Sequence, residues 1–315
     1  MRKKISIVSS AFNEQDNVGP LCKAVKEEMA KWTDKYDYEQ IILDNGSTDN
    51  TLAELRRLAA QDEHIKVIVN ARNFGHIRSP HYGMLQATGD AVIYMASDLQ
   101  DPPALINAFI TEWEKGTPIV LGQKKQTVEN KLFAFVRTFY YWLLNLVNDS
   151  GAELVPNCTG FGLFDKQVMD EIRRLDDPYP YMRGLVCELG YAKALVPFEQ
   201  PARKTGITKN NFYTLYDNAM IGFTNHSKVP LRLAALGGFV LGIISFSLAC
   251  IYLILKLCFW DNFPMGTAPI LLAVLFFASV QLIFLGILGE YVGAILTQVL
   301  HRPLVIEKER INFDK

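Results

Sequence analysis

Short apolar runs and longer amphipathic stretches alternate along the first 125 residues. Ile5–Val8, Gln40–Asp44, Ile65–Val69, Ala91–Met95 and Pro118–Gly122 each end in a polar loop and are predicted strands. Val18–Trp32, Thr48–Gln61 and His81–Thr88, lying between them, are predicted helices. This alternation predicts an α/β fold, a mainly parallel sheet with flanking helices. In such a sheet, ligands bind outside the carboxyl ends of the strands.

The C-terminal third has a different pattern. Leu233–Leu255 and Pro269–Gly289 contain no charged side chain, and at ~1.5 Å per residue each is long enough to cross the hydrocarbon layer as a helix. Lys228 and Arg232 precede the first span, and His301, Arg302, Lys308 and Arg310 follow the second. The intervening stretch Lys256–Thr267 carries one Lys and one Asp. The excess of basic residues outside the pair puts both termini and the globular part in the cytosol, so the expectation is a multi-pass protein of the plasma membrane. Glu290 falls where the interface begins, as a headgroup-level carboxylate. The basic start Met1–Lys4 is followed by a short strand-like segment rather than the apolar core of a signal peptide.

Composition narrows the classes. The 315 residues are 50% hydrophobic and 21% charged, which excludes a disordered chain. A formal net charge of −1 removes the bulk electrostatic argument for nucleic-acid binding. The five cysteines, Cys22, Cys158, Cys187, Cys250 and Cys258, have neither zinc-ligand spacing nor an even count, and are read as reduced packing thiols.

The polar clusters fall at strand ends. Asn13 and Glu14 follow the first strand, Asp44 to Asp49 the second, and Asp98 to Pro102 the fourth. Individually, Ser47 or Thr48 reads equally well as a helix cap and Asp101-Pro102-Pro103 as a helix start. Together on one edge they indicate a small-molecule site.

Five motifs in order, Phe12-Asn13-Glu14, Asp44-Asn45-Gly46-Ser47-Thr48-Asp49, Arg72-Asn73-Phe74-Gly75, Ala87-Thr88-Gly89-Asp90 and Ser97-Asp98-Leu99-Gln100-Asp101-Pro102-Pro103, resemble the family 2 glycosyltransferases of the GT-A fold. With two C-terminal spans and Arg203-Lys204-Thr205-Gly206-Ile207-Thr208-Lys209-Asn210, the chain is similar to the polyprenyl-phosphate group, which includes dolichol-phosphate mannose synthase and bactoprenol glucosyltransferase. The resemblance implies inverting transfer of a sugar from a nucleotide-sugar donor to a membrane polyprenyl phosphate, expected to be undecaprenyl phosphate, in cell-envelope polysaccharide or lipopolysaccharide modification. It implies a nucleotide site of Phe12, Asn13, Glu14, Asp44, Asn45, Ser47, Asn73 and Asp98. Asp98 and Gln100 are expected to hold Mg²⁺ or Mn²⁺, and Asp98, Asp101 and Arg203 to serve catalysis. A homo-oligomer is also expected.

The acceptor phosphate needs positive charge near the membrane. Lys124, Lys131 and Arg137 lie before or within an aromatic stretch, Phe133–Val147, that reads as an interfacial helix, and Phe212–Phe223 reads as a second. Tyr179 to Gly184 is a turn-rich loop placed over the acceptor, while His76 and His81 are given no role. The division is thus a globular domain over 1–210, a juxtamembrane amphipathic segment over 211–230, a two-helix membrane region over 231–300 and a tail over 301–315.

Three positions depart from the family pattern. Ala96 and Asn45 replace carboxylates, and Thr159-Gly160-Phe161-Gly162-Leu163 replaces a block holding an Asp and an Arg. A phosphate acceptor is already anionic and needs no general base, so the reading survives the loss. The alternative is a catalytically impaired pseudo-glycosyltransferase that binds nucleotide or lipid as a membrane partner. A processive synthase is excluded by the two spans and the missing GlnXxxXxxArgTrp block.

Overall fold

The computed structural model describes residues 2–125, 155, 157–201, 229–258 and 267–313. Strands β1 (Lys3–Ala11), β2 (Tyr36–Asp44), β3 (Ile65–Asn70), β4 (Ala91–Tyr94), β5 (Ile119–Lys124), β6 (Cys158–Asp165), β7 (Lys193–Phe198) and β8 (Glu307–Ile311) form one sheet in the order β7-β5-β6-β4-β1-β2-β3-β8. The mainly parallel arrangement is present: β1 pairs in parallel with β2 and β4, β2 with β3, and β5 with β7. Strands β6 and β8 run antiparallel to their neighbours.

Helices cover both faces. On one side α1 (Val18–Met29) and α4 (Leu105–Glu114) place Leu21, Val25, Phe109 and Trp113 over Ile5, Ile7, Ile93 and Phe161. On the other, α3 (Gly75–Gln86), α5 (Lys166–Leu175) and α6 (Met182–Glu188) place Met84, Val168, Ile172 and Leu185 over Val8, Leu43, Val92 and Phe164. Helix α2 (Thr51–Gln61) closes a third cluster through Leu55 and Ala59 against Ile42 and Val67. Two covered faces explain why the central strands read as continuous apolar runs.

Helix α3 begins six residues before the predicted start at His81. Pro80 looks like a breaker, yet it lies buried inside the helix. Its ring removes a single N–H, and the first turn is held by Asn73 Oδ1 accepting from Gly75 N–H at 2.8 Å.

The segment 301–315, set apart as a tail in the sequence, supplies β8 to the edge of the sheet. Ile311, Arg310, Glu309 and Glu307 pair with Val67, Ile68, Val69 and Asn70. Asn312 Nδ2 donates to the carbonyls of Ala59 and Ile65, and Arg56 pairs with Glu309. Between the globular domain and β8 run α7 (Val229–Cys258) and α8 (Thr267–Leu300). Both are long and apolar enough to cross a membrane, and neither apolar window is buried within the chain.

At the sheet end opposite the polar loops, Glu39 ties three strands together. It is 2% exposed and accepts hydrogen bonds from Lys66 Nζ at 2.7 Å, Ser6 Oγ at 2.6 Å, and the N–H and Oγ1 of Thr88, both at 2.9 Å. Burial would raise this carboxyl, but the bonds from Lys66, Ser6 and Thr88 outweigh it and hold the pKa at about 2. A depressed folded-state value stabilises above the ordinary 4.5, and that stabilisation is lost as pH falls through about 2. Glu39→Gln should therefore lower stability at neutral pH by about 3 kcal/mol. In urea titrations of the full chain, the wild-type midpoint should drop between pH 4.5 and 2; an invariant midpoint there would refute the assignment.

Candidate active site

Because β1, β2, β4 and β5 are parallel or co-directed, their carboxyl ends share one edge, and the antiparallel β6 starts there. The loops after β1 and β2 are laced by short polar side chains. Asn13, at φ 58°, donates its N–H to Ser47 Oγ at 3.0 Å, and its Oδ1 accepts from Thr48 N–H at 2.8 Å. Glu14 N–H donates to Thr51 Oγ1, and Glu14 Oε2 accepts from Asn17 Nδ2. Phe12 is half-buried at the start of this loop. Asp44 is buried and accepts from Ser47 N–H; burial raises its carboxyl, against the bonds from Ser47.

The side chain of Asn45 is engaged by the protein itself. Its Nδ2 donates to Asn73 Oδ1 and to the Gly75 carbonyl, both at 3.1 Å. Its Oδ1 accepts from Asn70 Nδ2 and from Phe74 N–H, both at 3.0 Å. Two donors and two lone pairs are all that an amide has, so the side chain is fully used in pinning the loop after β2 to the start of α3. Asn73, accepting from both Asn45 and Gly75, belongs to the same clasp.

The loop after β4 carries the carboxylates. Ser97 Oγ donates to the Ser10 carbonyl at 2.9 Å, docking this loop on β1. Asp98 is partly exposed and caps the turn by accepting Gln100 N–H at 3.1 Å, across Leu99 at φ 60°. Asp101 is 5% exposed and accepts Ala96 N–H at 2.9 Å. Burial pushes its carboxyl up to about 6, opposed by the Ala96 N–H and by the charge of Lys124, and reinforced by Asp98. Lys124, at the end of β5 on this edge, donates to Gln200 Oε1 at 2.7 Å, and its charge acts on Asp101.

Tyr94, at the end of β4, lies next to this loop, and no motif marks it. Burial raises its phenol, Asp101 and Asp98 add to the rise, and Arg183 of α6 opposes it, so these charges converge on the end of β4. The neighbouring glycines have physical reasons. Gly160 has φ +94°, and a Cβ on Gly162 would lie 2.4 Å from the Val120 carbonyl oxygen. No side chain, acidic or basic, fits at 162 on this backbone.

Among the described residues, no group of three or more His, Cys, Asp or Glu side chains is placed to hold a metal by itself. The donor set of Asp98 with Asp101 nearby suits Mg²⁺, which takes one or two carboxylates and fills its shell with phosphate oxygens and water. Lys131, Arg137 and Arg203, with the segments Phe133–Val147 and Phe212–Phe223, lie outside the described residues.

Residues 6–173 match the family model described as glycosyl transferase family 2. The chain belongs to that family. It is 33% identical to the uncharacterized glycosyltransferase YkcC of Bacillus subtilis, over 96% of this chain and 92% of that one. It is 31% identical to the bactoprenol glucosyl transferase of Shigella phage SfV, over 97% and 98%. Among solved structures, a crystal structure of glucosyl-3-phosphoglycerate synthase from Mycobacterium tuberculosis with Mn²⁺, uridine diphosphate and phosphoglyceric acid aligns at 19% identity and a TM-score of 0.49, covering 70% of this chain and 76% of that one. The chain is thus a glycosyltransferase, as its motifs imply.

The clasp at Asn45 gives a prediction for this member of the family. Asn45→Asp removes both donors and turns a carboxylate toward Asn73 Oδ1 and the Gly75 carbonyl, so it should destabilise by about 2 kcal/mol. Thermal unfolding and donor binding should fall together. A variant of wild-type stability with altered nucleotide affinity would show instead that residue 45 faces the ligand.

Proposed function

We propose that this glycosyltransferase moves a sugar from a nucleotide-sugar to the phosphate of a membrane polyprenol, with undecaprenyl phosphate as the acceptor. The observation that carries the reading is the extent of the match to bactoprenol glucosyl transferases, which includes the helix pair as well as the globular domain. The return of the chain as β8 supports it, because a pair of spans brings the chain back to the side on which it started. The basic residues flanking the pair support reading that side as the cytosol, at the plasma membrane.

The chemistry follows from the acceptor. A phosphate monoester is anionic at neutral pH, so its oxygen attacks the anomeric carbon without prior proton removal. The new C–O bond forms as the bond to the nucleoside diphosphate breaks, and attack from the opposite face inverts the configuration. Asp44, Asn13 and Ser47 shape the nucleotide end of the edge, and Asp98 with Asp101 the diphosphate end. A divalent cation held by Asp98, with Gln100 beside it, would offset charge on the departing diphosphate. Lys124 supplies positive charge at the same end.

The decisive experiment incubates the purified full chain in detergent with undecaprenyl phosphate, Mg²⁺ or Mn²⁺ and a panel of UDP-, GDP- and dTDP-sugars, with product read by mass spectrometry. One donor should give a lipid-linked sugar. Binding of nucleotide without turnover of any donor would instead support a pseudo-glycosyltransferase. Asp98→Asn should reduce kcat by about 100-fold or more while the circular dichroism spectrum is unchanged; full turnover by the variant would remove Asp98 from the mechanism.

A further inference from the structure

Helix α3 presents a second feature at the active edge that the clasp does not use. Arg78 and His81, three positions apart, share a face of the helix. The loop between α5 and α6 lies over that face. Tyr179 stacks on Arg78, with the guanidinium carbon 5.0 Å from the ring centroid, and Met182 Sδ lies 3.2 Å from His81 Nδ1. Burial lowers the His81 pKa to about 4, so the imidazole is a neutral packing group.

Arg78 is a half-buried cation in an unusual state. Its Nε is buried without a hydrogen-bond partner, and among the described residues no acceptor takes a bond from the guanidinium. Guanidinium carries five N–H donors, and a stacking contact satisfies none of them. Burying the one Nε–H without a partner is unfavourable unless an acceptor takes it, and the half-buried side chain leaves its forked end open to a ligand. The carboxylates of the covering loop are engaged elsewhere. Asp177 accepts from Tyr179 N–H at 2.8 Å and from Gln298 Nε2 at 2.9 Å, and Asp176 lies 3.1 Å from His301 Nε2.

Those last two contacts locate Arg78 in the molecule. Gln298 lies near the end of α8 and His301 just beyond it, so the loop that stacks on Arg78 also touches the end of a helix long enough to cross a membrane. In the other direction, Ser79 Oγ lies 3.0 Å from Ser10 Oγ, and Ser10 receives the Ser97 bond that docks the Asp98 loop. Arg78 therefore lies on a helix that meets β1 through Ser79, under a loop that touches the end of α8.

We infer that Arg78, held by Tyr179, binds the phosphate of the lipid acceptor. The inference rests on the acceptor class proposed above and adds the residue that recognises its charged end. A planar fork suits phosphate oxygens, which it can take in pairs. Tyr179 acts as a positioning residue that holds the guanidinium by its stacking contact.

The test uses the full chain in detergent and farnesyl phosphate as the probe, with farnesol and UDP as controls, all measured by equilibrium dialysis. Wild type should bind farnesyl phosphate and not farnesol. Arg78→Ala should weaken that binding about tenfold, and Arg78→Lys less, because a point charge lacks the fork. UDP affinity should stay within about twofold in both. Tyr179→Leu should give a smaller loss, as a positioning role requires. If Arg78→Ala fails to fold, Arg78→Lys and Arg78→Gln carry the comparison. Weakened UDP binding with unchanged farnesyl phosphate binding would assign Arg78 to the donor and overturn the inference. Unchanged binding of both, or no farnesyl phosphate binding by wild type, would also overturn it. Binding through Arg78 without sugar transfer would leave the inference standing and reject the proposed reaction. Transfer indifferent to Arg78 would do the reverse.

Discussion

The four hydrogen bonds of Asn45 fix the geometry on which the active edge depends. Loops beyond the carboxyl ends of strands have no sheet partner, so their backbone needs another source of order. Here a neutral amide takes the Asn70 and Phe74 donors on one side and reaches Asn73 and Gly75 on the other. That joins the ends of β2 and β3 to the first turn of α3. A carboxylate in its place would have only acceptors and would face two more. Removing a charge at 45 also leaves fewer negative groups on an edge where burial and Asp98 already raise Asp101 to about 6.

A second constraint acts through the C-terminal helix pair. The chain leaves the globular domain, passes through α7 and α8, and returns to pair with β3. The Asp176 and Asp177 contacts with His301 and Gln298 join the covering loop to the end of α8 as well. The globular domain is therefore held at a sheet edge and at a loop over the site. An exposed ion pair contributes little by itself, whereas the strand pairing of β8, with Asn312 closing on Ala59 and Ile65, supplies directional backbone order.

Sequence patterning made the first five strands legible because both faces of the sheet are covered, leaving apolar runs such as Ile41, Ile42 and Leu43. It did not reveal β6, where Gly160 and Gly162 interrupt the run. It did not reveal β8 either, since Glu307 to Ile311 is a charged, half-exposed edge strand whose only signal is its partner. Among the site residues, the clustering of polar groups at strand ends placed Asn13, Asp44, Asp98 and Asp101 on one edge. The direction in which Asn45 faces depends on a loop 28 residues away, at Asn73, and no local pattern encodes it. Arg78 escaped notice because Pro80 reads as a break, which hides the helical turn that carries it.

The glycine at 162 shows how backbone geometry redistributes charge. Strands β5 and β6 approach so closely there that a Cβ would strike the Val120 carbonyl oxygen, and a long basic side chain cannot start from that point. Positive charge near the site is carried instead by Lys124 at a strand end, Arg78 on α3 and Arg183 on α6. Arg183 comes from the stretch that the loop contacts tie to α8, and Arg78 is covered by that stretch, whereas a strand position would be rigidly part of the sheet. Arg78 and Arg183 are thereby linked, through that stretch, to the end of a helix long and apolar enough to cross a membrane. Under the proposed reaction, an acceptor with a charged head and a lipid tail would engage these cations and that helix at once, and the steric limit at Gly162 leaves that task to residues outside β6.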